Sequence, residues 1–262
     1  MCRLLGIVTA SPYEFGLVLR EAPRSMAVLS REHRDGWGIA THAGMRGYGW
    51  ELHRSVRTAD DDPAFAKQAE GARGRVIIAH VRQRTVGALS LANTHPFRQG
   101  DWVFAHNGTV KDVGYVAAHA SPERLSERAG DTDSELFFAF LLTRLDEADV
   151  SQEPASRRTD DVIRRAVLEV TARPDFGSLN FLLSNGTSLY TSRFGRPLHL
   201  LERSPAVGGE LDGALSGPVP IDQRRCVAVA SEPLTDEPWT PIEQGALLRL
   251  EVGRTPHWVT ID

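Results

Sequence analysis

Cys2 stands directly after the initiator Met1. Cysteine is a small second residue, so removal of Met1 is expected, and the mature chain then starts with a thiol that carries its own free α-amino group. Such an amine titrates near about 7.7 to 8.0, so around neutral pH it can take the thiol proton directly or through one water. Cys2 is thereby a nucleophile with a built-in base, the logic of hydrolases whose N-terminal amine activates their first side chain. Position alone equally allows a small buried residue at the edge of a first strand, because unpaired cysteines are commonly buried.

Three further segments offer complementary chemistry. His80-Val81-Arg82 ends an apolar run, and strand alternation points His80 and Arg82 the same way, opposite to Val81. An arginine there suits bidentate capture of a carboxylate, or else a surface ion pair. His106-Asn107-Gly108-Thr109 follows another apolar run, where a turn at Asn107-Gly108 would let a side-chain amide and a backbone N–H converge as an oxyanion needs. The acidic stretch Asp131-Thr132-Asp133-Ser134-Glu135 is a helix start, and one of its carboxylates could instead hold an ammonium. His33-Arg34-Asp35-Gly36-Trp37-Gly38 speaks for close backbone packing more than chemistry. The nine histidines show no HExxH or other ligand-like pairing, so no metal site is expected.

The elements that must position these residues are short strands. Residues 4–9, 37–41, 76–81 and 102–106 form a first β-rich group, and 178–184, 188–192, 226–231, 246–252 and 257–261 a second. Asn185-Gly186 between two of them is the strongest short hairpin signal and makes that pair antiparallel. Helical periodicity is clearest over 133–145, with Leu136, Phe137, Phe140, Leu141 and Leu145 on one face, and again over 161–172. Residues 152–160 read as a polar connection between these helices, and 204–225, rich in Gly and Pro, as a surface loop. The order strands, helices, strands with a hairpin suggests an α+β layered domain rather than a doubly wound sheet.

Composition narrows the class. The chain has 262 residues, 41% apolar and 24% charged, with a formal charge of -4. That length permits a sizeable core, and the absence of a polybasic face predicts no nucleic-acid partner. Two cysteines, Cys2 and Cys226, make no disulfide framework and fit a reducing cytoplasm. No apolar run approaches the about 20 residues of a spanning helix, so no membrane partner is expected.

Met-Cys, DGWG, AHVRQRTVG, NTHPF, HNG and DTDSE occur in that order. Together they resemble the class II glutamine amidotransferase domains, which are N-terminal-nucleophile hydrolases, and the match looks closest to stand-alone bacterial members. LYTSRFGRPL, VAVASEPL and WTPIEQGALLRLEV extend the resemblance over essentially the whole chain, so residues 1–262 are expected to form one domain whose mature form starts at Cys2. The resemblance implies a four-layer αββα sandwich, two antiparallel sheets between helical layers, and no cofactor. Carried over residue by residue, it makes Cys2 the nucleophile and Arg82 the clamp for a substrate α-carboxylate, assisted by Thr85. Asn107 and Gly108 become the oxyanion hole and Asp133 the partner of the substrate α-ammonium, while Asp131 remains a capping residue. Members with Trp after the Arg and His after the Thr differ from this chain, which has Gln83 and Val86.

The implied reaction is a glutaminase half-reaction through a γ-glutamyl thioester, with a small-molecule substrate and ammonia passed to a separate acceptor enzyme. Two alternatives stand beside it. One is a hydrolase for a small γ-glutamyl metabolite, similar to the γ-glutamyl amidase of ergothioneine biosynthesis, and the other is a catalytically silent binding protein with the same fold. The MCRLLG start resembles the amidase group and NTHPF the stand-alone amidotransferases.

Overall fold

The computed structural model describes residues 2–45, 49–84, 87–153, 155–203, 225–251 and 256–259. Its strands are β1 (Arg3–Glu14), β2 (Trp37–His42), β3 (Glu51–Ser55), β4 (Arg73–Val81), β5 (Phe97–Gln99), β6 (Trp102–Val110) and β7 (Gly177–Ser184). They continue with β8 (Ser188–Ser192), β9 (His199–Arg203), β10 (Cys226–Ala230), β11 (Thr240–Pro241), β12 (Leu247–Glu251) and β13 (His257–Val259). The α-helices are α1 (Met26–Ser30), α2 (Pro63–Gly71), α3 (Val113–Ala118), α4 (Pro122–Ser126), α5 (Asp133–Glu147) and α6 (Arg157–Thr171), and a π-type turn spans Leu17–Glu21.

The strands make two antiparallel sheets, one ordered β11-β9-β10-β1-β4-β2-β3 and the other β13-β12-β8-β7-β6-β5. Each mixes strands from both halves of the chain, which the grouping along the sequence did not foresee. Leu4, Val8, Ala40, Val76, Ile78, Val103, Ala105, Leu182 and Leu248 fill the space between the sheets. On the outer face of the first sheet, Leu5, Ile7, Ile77 and Val81 pack on Leu19, Met26 and Phe65 of the π-type turn, α1 and α2. On the outer face of the second, Phe104, Phe181 and Tyr190 pack on Phe137, Phe140 and Leu141 of α5 and Ile163 and Val167 of α6. The architecture is therefore αββα, as the resemblance implies. Residues 76–81 read as an unbroken apolar run because β4 is central and covered on both faces.

Local chemistry explains the boundaries. Asn185-Gly186 turns β7 into antiparallel β8, with Gly186 at φ 85°, where only glycine is unstrained. Thr132, not Asp131, caps α5, accepting from the Glu135 N–H at 3.2 Å. The connection between α5 and α6 is shorter than expected: Ser156 and Thr159 form a capping box, so 157–160 are already helical and Asp160 is buried beneath Tyr190 and Arg249. Most of the expected loop 204–225 and the end of the last expected strand lie outside the described residues.

Candidate functional site

Cys2 sits at the entry of β1, half-buried, beside the residues that leave β4. Its Sγ lies 3.3 Å from both the backbone N–H and the carbonyl of Gln83, so it can accept from the one and donate to the other. Burial pushes the thiol pKa up, while the Gln83 hydrogen bond and the nearby Arg82 and Arg3 pull it down. Arg3 holds the Cys2 carbonyl at 3.2 Å and is ion-paired with Glu232, which fixes the direction of the first residues.

Arg82 follows β4 directly and is only 3% exposed, which excludes the surface ion-pair reading. Burial lowers its pKa, opposed by the Cys2 thiol, Asp35 and Asp131. One guanidinium N–H donates to the Ala88 carbonyl at 3.3 Å. The segment 33–38 forms the opposite wall: the Asp35 N–H bonds to the Arg82 carbonyl at 3.0 Å, the Arg82 N–H to the Gly36 carbonyl at 2.8 Å, and the Arg84 N–H to the Asp35 carboxylate at 2.8 Å. The expected close packing is real, because a Cβ on Gly38 would collide with the His95 carbonyl oxygen. Thr85 lies outside the described residues.

Asn107 and Gly108 are placed differently from expectation. They are not in a turn but inside β6, paired with Asn180 and Leu179 of β7. Glycine is required at 108 because a Cβ there would collide with the Ser178 carbonyl oxygen and crowd the His106 ring. The Asn107 side chain, buried, donates to Ser231 Oγ at 3.4 Å. That same oxygen accepts the Leu4 N–H at 2.9 Å, so Ser231 links the candidate oxyanion strand to the chain two residues beyond Cys2. Asp133 is the first residue of α5, where the helix dipole favours a carboxylate, and its Oδ2 accepts the Val110 N–H at 2.7 Å. Asp131 takes no capping role: it is exposed and bonds instead to Asn93.

Histidines missed as site components surround this constellation. His106 Nε2 donates to the Ser178 carbonyl and Nδ1 is hydrogen-bonded with Ser134 Oγ, each at 2.9 Å, which ties β6 to the start of α5, and burial lowers the pKa of the ring. His33 Nδ1 donates to Gln83 Oε1 at 3.3 Å, which puts it against the residue that cradles Cys2. The His80 and His95 rings lie tilted against each other at 4.4 Å between centroids, and burial pushes His80 down to about 3 and His95 well below its ordinary value. No spacing in the sequence signals these contacts, since each joins segments far apart in the chain. Among the described residues there is no group of three His, Cys, Asp or Glu arranged to hold a metal, and no helix is long and apolar enough to cross a membrane.

Two antiparallel sheets between helical layers, with Cys2 just before the central strand of the first, make up the N-terminal-nucleophile hydrolase fold. More narrowly, the family model of the class-II glutamine amidotransferases matches residues 1–261, and the chain belongs to that enzyme family. A crystal structure described as a predicted glutamine amidotransferase from Pseudomonas aeruginosa superposes with a TM-score of 0.63 at 29% identity, covering 96% of this chain and 98% of that one. The glutamine phosphoribosylpyrophosphate amidotransferase of B. subtilis shares the fold at 16% identity and a TM-score of 0.63, with 99% of this chain matched to 50% of that one. Among sequence relatives, the gamma-glutamyl-hercynylcysteine sulfoxide hydrolase of Mycobacterium tuberculosis is 30% identical over 79% of this chain and 82% of its own length.

Proposed function

We propose that the protein hydrolyses the side-chain amide of glutamine, with Cys2 as nucleophile and its α-amine, freed by loss of Met1, as general base. The observation that carries this reading is the position of the Cys2 thiol, held by Gln83 next to the buried Arg82 guanidinium at the open end of β1. Glutamine enters with its α-carboxylate on Arg82, assisted by Thr85, and its α-ammonium on Asp133, so both charges of the head group aim the amide at Cys2. The thiolate attacks the γ-carbonyl carbon, and the resulting oxyanion is held by the Asn107 amide and the Gly108 N–H; one such donor is typically worth about 2.7 to 4 kcal/mol in the barrier. The C–N bond breaks as the protonated α-amine of Cys2 gives the former thiol proton to the leaving nitrogen, and ammonia departs. Water, deprotonated by the same amine, then hydrolyses the γ-glutamyl thioester to glutamate.

In this reading residues 1–262 act as one domain, need no cofactor, work in the reducing cytoplasm and hand ammonia to a separate acceptor enzyme. Release of ammonia and glutamate from glutamine by the purified protein, with loss of both in Cys2→Ala, supports it. Failure of wild-type protein to turn over any γ-glutamyl compound or to react with a glutamine-shaped electrophile points to a silent binding protein.

The 30% identity to the mycobacterial hydrolase favours a second reading, in which the same attack cleaves a γ-glutamyl amide of a small metabolite. A panel of γ-glutamyl amides separates the two: preference for a substituted amide over glutamine by kcat/KM selects the hydrolase.

A further inference from the structure

Asn93, the first residue of the NTHPF motif, is part of neither the nucleophile nor the candidate oxyanion strand, yet it is only 3% exposed and every polar atom of its side chain is engaged. Its Nδ2 donates to the Ala88 carbonyl at 3.2 Å and to Asp131 Oδ1 at 2.7 Å, and its Oδ1 accepts the Asp131 N–H at 3.0 Å. The Ala88 carbonyl is the oxygen that also accepts from the Arg82 guanidinium at 3.3 Å. Asp131 is followed at once by Thr132, the cap of α5, and then by Asp133. One carboxamide therefore joins, through one carbonyl oxygen, the group proposed to hold a substrate carboxylate and, through one backbone pair, the helix start that carries the group proposed to hold the ammonium.

The surroundings are shaped for this bridge. A Cβ on Gly130 would collide with Asn93 Oδ1, and one on Gly87 would lie 2.9 Å from Nδ2 and 3.1 Å from Asp131 Oδ1, so both neighbouring segments close on the carboxamide only as glycines. The Asn93 backbone N–H is itself held by Ser90, through its carbonyl at 3.2 Å and its hydroxyl at 3.3 Å. A carboxamide alone supplies both the two donors and the acceptor used here, and aspartate at 93 would set a second carboxylate against Asp131.

We propose that Asn93 is a positioning residue that fixes the spacing between Arg82 and Asp133, and so the length of amino-acid head group the site accepts. This rests on the functional reading above. The head group of every α-amino acid has the same separation between carboxylate and ammonium, so a rigid bridge between their partners selects for an unmodified α-amino acid end while leaving the thiol untouched. Asn93→Ala should raise KM for glutamine about tenfold or more with kcat changed by less than about threefold. Inactivation by a glutamine-shaped electrophile should slow in parallel, whereas alkylation of Cys2 by iodoacetamide, which has no head group, should keep its wild-type rate.

Because Asn93 is buried, the exposed end of the bridge provides the second variant. Asp131→Asn retains the acceptor for Asn93 Nδ2 and should stay within about twofold of wild type, while Asp131→Ala should raise KM about threefold. Wild-type KM in Asn93→Ala overturns the proposal, and so does an equal slowing of both electrophiles, which would mark a general loosening of the site. Equal effects of Asp131→Asn and Asp131→Ala also overturn it, since charge and not the bridge would then matter. A wild-type protein that iodoacetamide alkylates, but that neither turns over γ-glutamyl compounds nor reacts with the glutamine-shaped electrophile, overturns the functional reading itself.

Discussion

Two cysteines lie next to β1, each beside an arginine, and their surroundings are opposites. At the start of the strand Cys2 is half-buried, bonded to backbone groups of Gln83, and lies near the Arg82 guanidinium. In mid-strand, Thr9 pairs with Cys226 of β10, which is buried, with its thiol pushed up to about 11 by burial despite the neighbouring Arg203. Arg203 is no free cation there, because both its Nε and Nη2 bond to the Glu237 carboxylate at 2.6 Å. Arg82 donates to the neutral Ala88 carbonyl, and the Cys2 thiol and the Asp35 and Asp131 carboxylates lie near its charge. The difference is one of access: the Cys2 thiol is partly exposed and the Cys226 thiol is sealed in the core, and a thiol must be reachable to react.

The sharpest way to break this contrast is to exchange the roles by mutation. Cys2→Ala should reduce glutamine turnover by roughly 10⁴-fold or more, because the covalent route is lost, with little change in Tm. Steady-state ammonia release and thermal melting check both halves, and retained turnover would remove Cys2 from the chemistry. Arg82→Lys should raise KM about 10- to 100-fold, since a point charge cannot reproduce a bidentate fork. Arg203→Lys, beside Cys226, should leave KM unchanged and lower Tm.

Acid should act on the Cys2 end first. His80 is depressed to about 3 and His95 lies well below its ordinary value, both chiefly by burial, whereas in the unfolded chain each titrates near about 6.5. The unfolded state therefore binds protons first as pH falls. Their contribution to stability is fully present above about pH 6.5 and drains away from there toward pH 3, at up to about 1.4 kcal/mol per pH unit for each ring. Urea melts between pH 7 and 4 measure it, and His80→Leu should flatten the slope; a pH-independent stability would contradict the buried neutral pair. The smallest effect belongs to Cys226→Ala, which should leave kcat/KM unaltered and cost about 1 kcal/mol for the small cavity.

What the sequence reveals follows the same division between local and distant contacts. The Asn185-Gly186 hairpin and the start of α5 at Asp133 are written in adjacent residues, and the structure has both. Cys2, Arg82, Asn107 and Asp133 are legible as candidates because each ends or begins an element, or lies beside a glycine that forces close approach. The placement of Asn107-Gly108 within β6 is not legible, since Asn-Gly signals a turn unless a partner strand, here β7, continues the ladder past it. The helical layer over the first sheet is also hidden, because α1 and the π-type turn are too short to show a period. His33, Asn93 and Ser231 reach the site through partners 50, 38 and 124 positions away, and no spacing rule reports such a contact.

The proposed reaction requires that Cys2, and not Cys226, be the nucleophile and that it act as the true N-terminal residue. Reaction of the native protein with a glutamine-shaped electrophile, followed by mass spectrometry of the N-terminal peptide, tests both parts at once. One adduct per chain is expected, on a peptide that begins at Cys2 without Met1, with protection by excess glutamine. An adduct on Cys226, or labelling of a chain that still carries Met1, would contradict it.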